Sequence, residues 1–433
     1  MTYTALCAIG AEKILGNELK LLGFHLAGNA PGRVNFTGDD DAFYRANYCL
    51  RTSDRVYIQL TSYRALDFDS LFEGCYRVNW QDYFKKDSRI VVDKVRTHKS
   101  KLSSEHTVQS MIQKAIYKKL GDSWRMTTLP ESGESHDVRV YVENDIVTVL
   151  LDTSGEALHK RGYRTNGGPA PLRETTAAVL LQEFFWKRKT PLHDPFCGSG
   201  TIAIEAALYA HNVAPGLGRH FAYETLAIYN QERAVEIKKE EAGKIRTDVE
   251  CHITGSDINP EAIENAKLNA EHAFVTAGRA LNLIDSDVHL ERPDFIVSDF
   301  RDLHAPYPAG LLLCNPPYGE RIGDEEEAKA LYRDMASLFT DFPDWELGVI
   351  TSQKTFQENI GHYAQSLKSL KAGNLDTTLY IYREDSRCPR DSVKTPRENS
   401  KHSRESFKTS RNNSKGARAS FKNNKSKNSR GTY

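Results

Sequence analysis

No two of the seven cysteines in this 433-residue sequence are spaced as Cys-x-x-Cys. They stand scattered at positions 7, 49, 75, 197, 251, 314 and 388. That scatter argues against a metal site or a disulfide framework and suits a reducing, cytoplasmic setting. No apolar run approaches the roughly 20 residues that a membrane-spanning helix needs. Residues 1–10 lack the basic start and the apolar length of an export signal. No solenoid-type repeat is present. Net charge is missing too, because 58 basic residues balance 58 acidic ones.

That balance conceals an asymmetry. Residues 387–433 hold 14 Lys and Arg against 3 Asp and Glu, so they carry +11 and the remainder carries −11. The segment is rich in Ser, Asn, Lys and Arg, with Phe407 and Phe421 set among the charges. It has too few aliphatic residues to fold and reads as a disordered basic tail. Such tails meet nucleic acid by neutralising phosphates. The plainer alternative is a solubilising tail with no partner.

The remainder is long enough for two or three domains. Residues 1–66 alternate strand and helix as a small β-α-β-α-β unit: "TYTALCAI", "AEKILGNELKLLG", "GRVNFTG", "DDAFYRANYCLR" and "RVYIQLTSYRAL". Residues 67–160 read as a second α+β unit. Its helix "SSEHTVQSMIQKAIYKKL" opens on a serine cap and turns Val108, Ile112, Ala115 and Ile116 inward. A hairpin turning at Asn144 and Asp145 follows. The cluster "ALHKRGYRTNGGPAPLRE" marks a junction. Its Lys160, Arg161, Arg164 and Arg173 are candidate RNA contacts, with a solvated linker as the alternative. Residues 161–386 then alternate helix and strand, the signature of an α/β doubly wound parallel sheet.

The chemistry gathers at the ends of those strands. In "DPFCGSGT", residues 194–201, Gly198 and Gly200 let the backbone turn tightly and let a ligand approach. The helix that follows offers free N–H groups to an anion. Glycines alone would equally make a tight turn with no ligand. Asp257 ends the next strand, ahead of the cap Asn259 and Pro260 at the first helical position. A carboxylate there can grip a ribose diol. Asp299 ends a third strand, where it can accept from an adenine amino group. A fourth strand, "LLLC", stops at "NPPY", since two prolines cannot continue a sheet. Asn315 and Tyr318 are thereby presented at a fixed angle.

These motifs resemble those of class I S-adenosylmethionine-dependent methyltransferases that act on exocyclic or amide nitrogens. The resemblance implies a Rossmann-like catalytic domain with S-adenosylmethionine held by Asp194, Pro195, Cys197, Gly198, Ser199, Gly200, Thr201, Asp257, Ile258, Asp299, Phe300 and Asn315. It implies a catalytic loop of Asn315, Pro316, Pro317 and Tyr318. In it the Asn315 Oδ1 and the Pro316 carbonyl accept from the target amine, and Tyr318 stacks on the base. Cys197 and Cys314 otherwise read as packing residues. Similar loops serve adenine in DNA, guanine N2 in RNA and glutamine in proteins. The N-terminal segments and "LHKRGYR" resemble a ferredoxin-like unit (1–66) and a THUMP RNA-binding domain (67–160). Together with "APLRETTAA" and "NPPYGER", they are similar to the bacterial 23S ribosomal RNA guanine-N2 methyltransferase family. The implied partner is therefore RNA: 23S rRNA as naked RNA or a pre-ribosomal particle, or else tRNA. A non-catalytic RNA-binding protein on the same scaffold is the alternative from another class.

Removing residues 387–433 should weaken RNA binding and lower the slope of log affinity against log salt. An unchanged slope in filter-binding titrations would return the tail to the solubilising reading.

Overall fold

The computed structural model describes residues 1–164, 171–317, 325–372 and 375–383. Tyr318 and the basic tail lie outside them. The first half runs β1 (Thr2–Leu6), α1 (Glu12–Leu21), β2 (His25–Ala30), β3 (Arg33–Thr37), α2 (Ala42–Cys49), β4 (Arg55–Arg64), α3 (Phe68–Tyr76), β5 (Arg89–His98), α4 (Glu105–Trp124), β6 (Ser135–Glu143) and β7 (Ile146–Asp152). Its strands form one sheet in the order β2-β3-β1-β4-β7-β6-β5. No seam opens at Leu66, because β4 pairs antiparallel with β7 from Tyr57 opposite Asp152 to Arg64 opposite Ile146. The two N-terminal units thus share a sheet.

Local chemistry explains most of these elements. The Ser104 hydroxyl accepts from Thr107 N at 3.3 Å and starts α4. Val108, Ile112, Ala115, Ile116 and Leu120 line its buried face. Asn144 and Asp145 both take positive φ, 52° and 64°, as a two-residue hairpin turn of the right twist demands. The sequence does not announce β2. It is an edge strand, exposed along nearly its whole length and bulged between Leu26 and Gly28, so it carries no hydrophobic alternation. The N-terminal unit is therefore β-α-β-β-α-β rather than β-α-β-α-β.

The second half runs α5 (Glu174–Glu183), β8 (Leu192–Asp194), α6 (Thr201–Ala210), α7 (Gln231–Ala242), β9 (Ile253–Asp257), α8 (Pro260–Asn282), β10 (Asp294–Val297), β11 (Gly310–Cys314), α9 (Glu325–Asp334), α10 (Leu338–Asp341), β12 (Trp345–Thr351), α11 (Phe356–Ile360), β13 (Ser366–Ala372) and β14 (Leu375–Tyr382). The sheet order is β10-β9-β8-β11-β12-β14-β13. The first five strands are parallel, as the helix–strand alternation predicts. β14 runs antiparallel to β12, and β13, antiparallel to β14, is a further exposed edge with no strong sequence signal. Ile9 covers that edge by exchanging backbone hydrogen bonds with Lys371 at 3.1 and 2.9 Å.

Buried charge joins the halves. Glu18 of α1 accepts from the backbone of Arg51 at 2.7 Å and from the Thr52 hydroxyl at 2.6 Å. The Arg51 guanidinium donates to the Leu208 and Val213 carbonyls, at and beyond the end of α6. Arg161 donates to the Arg51 carbonyl at 2.6 Å and lies 3.5 Å from Glu205 of α6, which also receives the Tyr163 hydroxyl at 3.2 Å. The chain between α6 and β9 adds a second clasp. Gly216 and Asn230 bond back to Tyr48 and Tyr44, and Arg219 donates to the Glu156 and Ala157 carbonyls. Among the described residues no helix is long and apolar enough to cross a membrane.

His136 of β6 is buried beside Phe84, and among the described residues neither ring nitrogen has a partner. Burial, with Lys85 nearby, lowers its pKa to about 4. The folded chain therefore stays neutral there while an unfolded chain takes up a proton below about 6.5. The stabilisation is whole above pH 6.5 and falls as pH drops toward 4, by up to about 3 kcal/mol. His136→Leu should melt no lower than wild type at pH 7, since it removes two unsatisfied nitrogens. Between pH 7 and 5 its melting temperature should fall less than that of wild type.

Candidate active site

Parallel pairing sets the carboxyl ends of β10, β9, β8 and β11 side by side, where open α/β sheets take their ligands. A cleft of about 600 Å³ opens there. Asp194, Pro195, Cys197, Gly198, Ser199, Thr201, Asp257, Ile258, Asp299, Phe300, Asn315 and Pro317 all line it. Of the other expected residues, Gly200 and Pro316 lie directly beside lining residues.

Each group has a visible cause. His193 staples β8 to β9, its ring nitrogens 2.7 Å from the Thr254 hydroxyl and 3.1 Å from that of Ser256. Burial lowers its pKa to about 4, so it is a neutral strut. The next residue, Asp194, is buried and accepts from Phe196 N at 3.1 Å. Burial pushes its carboxyl well above the usual range, and Asp257 adds to the push. Among the described residues no cation pairs with it. A buried carboxylate lining a cleft with no counter-charge is suited to a cationic ligand.

Asp257 accepts from Gly198 N at 3.0 Å and from Asn259 N at 2.9 Å, which locks it between two loops with lone pairs to spare. Ile258 beside it is 68% exposed, an apolar face open to a flat ring. Asp299 lies two residues past β10 and caps a short turn, accepting from Arg301 N at 3.0 Å. Asn315, directly after β11, has a buried Oδ1 with no partner among the described residues. Cys197 and Cys314 are buried, and burial raises both thiols, as suits packing residues.

The basic junction divides. Lys160 is exposed and paired with Glu156 at 2.8 Å, and Arg173 stands partly open at the start of α5. Arg161 is not a surface contact. Its guanidinium is buried in the cluster with Arg51 and Glu205, because an arginine there satisfies two buried carbonyls. Arg164 is likewise turned inward. It donates to the Thr201 hydroxyl at 2.7 Å and to the Leu172 carbonyl at 3.1 Å, with Glu174 3.2 Å away. Sequence reasoning also missed Arg301, Phe196, Glu261 and Asn265 in the lining. Phe196 stands inside the 194–201 motif as an apolar position that reads as packing; the other three carry no chemistry of their own in the sequence, and only the proximity of strand ends or a helix start brings them in.

Three domain descriptions match along this chain. They are an RlmL ferredoxin-like domain over residues 2–57, a THUMP domain over 65–152, and an RMKL-like methyltransferase domain over 161–381. The chain belongs to the RMKL-like methyltransferase family. It is 34% identical to the putative RNA methyltransferase YpsC of Bacillus subtilis, over 91% of this chain and 98% of that one. It is 32% identical to the ribosomal RNA large subunit methyltransferase K/L of Photobacterium profundum, over 88% of this chain but only 52% of that protein. The chain thus spans about half the length of that relative. The crystal structure of SMU.472, a putative methyltransferase complexed with SAH, is 31% identical, with a TM-score of 0.77 over 88% of this chain and 97% of that one.

The methyl donor of this methyltransferase is S-adenosylmethionine, and the cleft fits it. The donor brings a sulfonium and an amine to suit the unpaired Asp194, a diol for Asp257 and a flat base for Ile258. Among the described residues no cluster could hold a metal ion.

Gly198 and Gly200 both take positive φ, 51° and 82°, but they differ in room. A Cβ at Gly200 would lie 2.8 Å from the Phe295 ring, whereas one at Gly198 would meet nothing within 4 Å. Gly200→Ala should therefore weaken SAH binding by roughly tenfold or more, and Gly198→Ala by only a few-fold, in calorimetric titrations.

Proposed function

We propose that this methyltransferase transfers the methyl group of S-adenosylmethionine to the exocyclic N2 amine of a guanine in 23S ribosomal RNA, in the cytoplasm. The observation that carries the reading is the Asn315 Oδ1, a buried acceptor in the donor cleft without a partner among the described residues. An acceptor left empty there calls for an N–H donor. An exocyclic amine supplies two, one for Asn315 and one for the Pro316 carbonyl. Gripped so, the amine turns its lone pair out of the ring plane and toward the cleft.

The bound donor supplies an electrophilic methyl carbon on a sulfonium. In the transfer step a carbon–nitrogen bond would form as the carbon–sulfur bond breaks, the sulfur would leave neutral as the thioether, and the methylated nitrogen would lose one proton to solvent. Asp194, Asp257 and Asp299 hold the donor in place, so alignment supplies much of the acceleration. By accepting from an N–H, Asn315 leaves more electron density on the attacking nitrogen, without itself taking the proton. The thiols of Cys197 and Cys314 are held protonated and take no part.

RNA as substrate is supported by the THUMP domain match and by the names that the relatives bear. A guanine paired in a helix would have to be flipped out, at a cost of a few kcal/mol. Lys160 and Arg173 would meet its backbone, a reading supported by their exposure to solvent.

The test uses tritiated S-adenosylmethionine with unmodified rRNA and tRNA transcripts, followed by nucleoside analysis. Label in N2-methylguanosine from rRNA is expected, and label from tRNA alone would move the substrate. Asn315→Ala should lower transfer by about 100-fold or more while RNA affinity stays within roughly threefold. Unchanged turnover in that variant would remove Asn315 from the mechanism.

A further inference from the structure

Arg301 sits where the donor cleft meets the helix that follows the Asn-Pro-Pro strand end. Its Nη1 donates to Asp299 Oδ2 at 2.8 Å, and its own backbone N–H donates to Asp299 Oδ1 at 3.0 Å. On the other side its Nη2 and Nε converge on Asp334 Oδ2 at 2.7 and 3.1 Å. Its guanidinium carbon lies 4.8 Å from the centre of the Phe300 ring, which packs on Phe196 at 5.0 Å. Arg301 thus bridges Asp299 in the cleft to the last residue of α9.

α9 in turn holds the catalytic strand end. Tyr332, fully buried against Phe356, donates its hydroxyl to the Pro317 carbonyl at 3.2 Å. Polar contacts therefore run from Asp299 through Arg301 to Asp334, and from Tyr332 to Pro317, and the two-residue step of helix between Tyr332 and Asp334 joins them. Arg301 uses two of about four acceptor positions on the Asp299 carboxylate. A ligand amine arriving there competes with Nη1 for that charge, and the guanidinium then leans on Asp334.

We propose that Arg301 is a positioning residue: it couples occupancy of the donor cleft at Asp299 to the setting of α9, and through Tyr332 to the Pro317 carbonyl beside Asn315. The proposal rests on the reading of Asp299 as a donor contact and of residues 315–317 as the amine-holding strand end. Arg301 and Asp334 are about half exposed and Asp299 about a quarter, so the coupling is modest. Neither Asp334 nor Tyr332 lines the cleft, so an effect of Asp334 on methyl transfer has no route through direct contact with the donor.

The test is hydrogen–deuterium exchange over residues 325–334 of the full chain, with and without SAH, in wild type, Arg301→Gln and Asp334→Asn. Wild type should show exchange slowed by about threefold to fivefold on SAH binding, a size suited to partly exposed ion pairs. Both variants should bind SAH within about twofold of wild type and lose that slowing. In RNA methylation each should lower kcat by roughly fivefold with KM for the donor nearly unchanged, and the double variant should lose no more than either alone. Slowing that survives in either variant overturns the proposal, as do additive losses or a rise in KM with constant kcat. The exchange readout needs no RNA, so a wild-type protein that methylates neither rRNA nor tRNA would count against the proposed substrate and leave the coupling test standing.

Discussion

Parallel pairing in the catalytic sheet is the constraint on which the rest depends. Five strands run the same way, so every connection must cross back over the sheet and every strand delivers its carboxyl end to one edge. Residues more than a hundred positions apart, Asp194 and Asn315, become neighbours across one cleft for that reason. Short strands sharpen the effect. β8 is only three residues long, and His193 must hold it to β9 by side-chain hydrogen bonds where few backbone ones exist. The acidic wall is therefore assembled by strand register, with the tight turn at Gly200 setting the start of α6 against Phe295.

The N-terminal sheet is held to that wall by buried charge rather than by an oily seam alone. Glu18, Arg51, Arg161 and Glu205 are each largely inaccessible: Glu18 fixes Arg51 and Thr52 within the N-terminal half, Arg51 reaches the carbonyls at and beyond the end of α6, and Arg161 ties Arg51 to Glu205. Groups of this kind add little net stability, but removing one member leaves its partner exposed to the full cost of burial. What they contribute is a defined geometry. The same logic explains Arg164, whose guanidinium joins the junction to Thr201 at the head of α6, on the rim of the cleft. A cluster of arginines beside a nucleic-acid-binding domain is as much an internal brace as a contact surface.

Much of the fold was legible. Alternating helix and strand, the serine cap at Ser104, the Asn144–Asp145 turn and the Asn259–Pro260 start of α8 all follow from local chemistry, and all are present. The edge strands β2 and β13 were not legible, because an edge has one pairing partner and needs no hydrophobic alternation. The continuity of the N-terminal sheet across Leu66 was hidden as well, since strand pairing between β4 and β7 leaves no mark in either strand's sequence. Most of the cleft was visible as motifs at strand ends. Arg301 was not, for an arginine after an aspartate looks like any solvated pair until Asp334 is brought to its other side.

By itself the sequence determined which residues end the strands and what chemistry they can do: carboxylates, tight glycines and a proline-stiffened asparagine are local properties of the chain. Only the tertiary structure decided which charges are available. Among the described residues, burial leaves Asp194 without a cation and Asn315 without a donor, and the fold buries Arg161 and turns Arg164 inward while Lys160 and Arg173 stay open to solvent. Availability depends on what lies across the fold from a side chain, and a linear pattern carries no record of that.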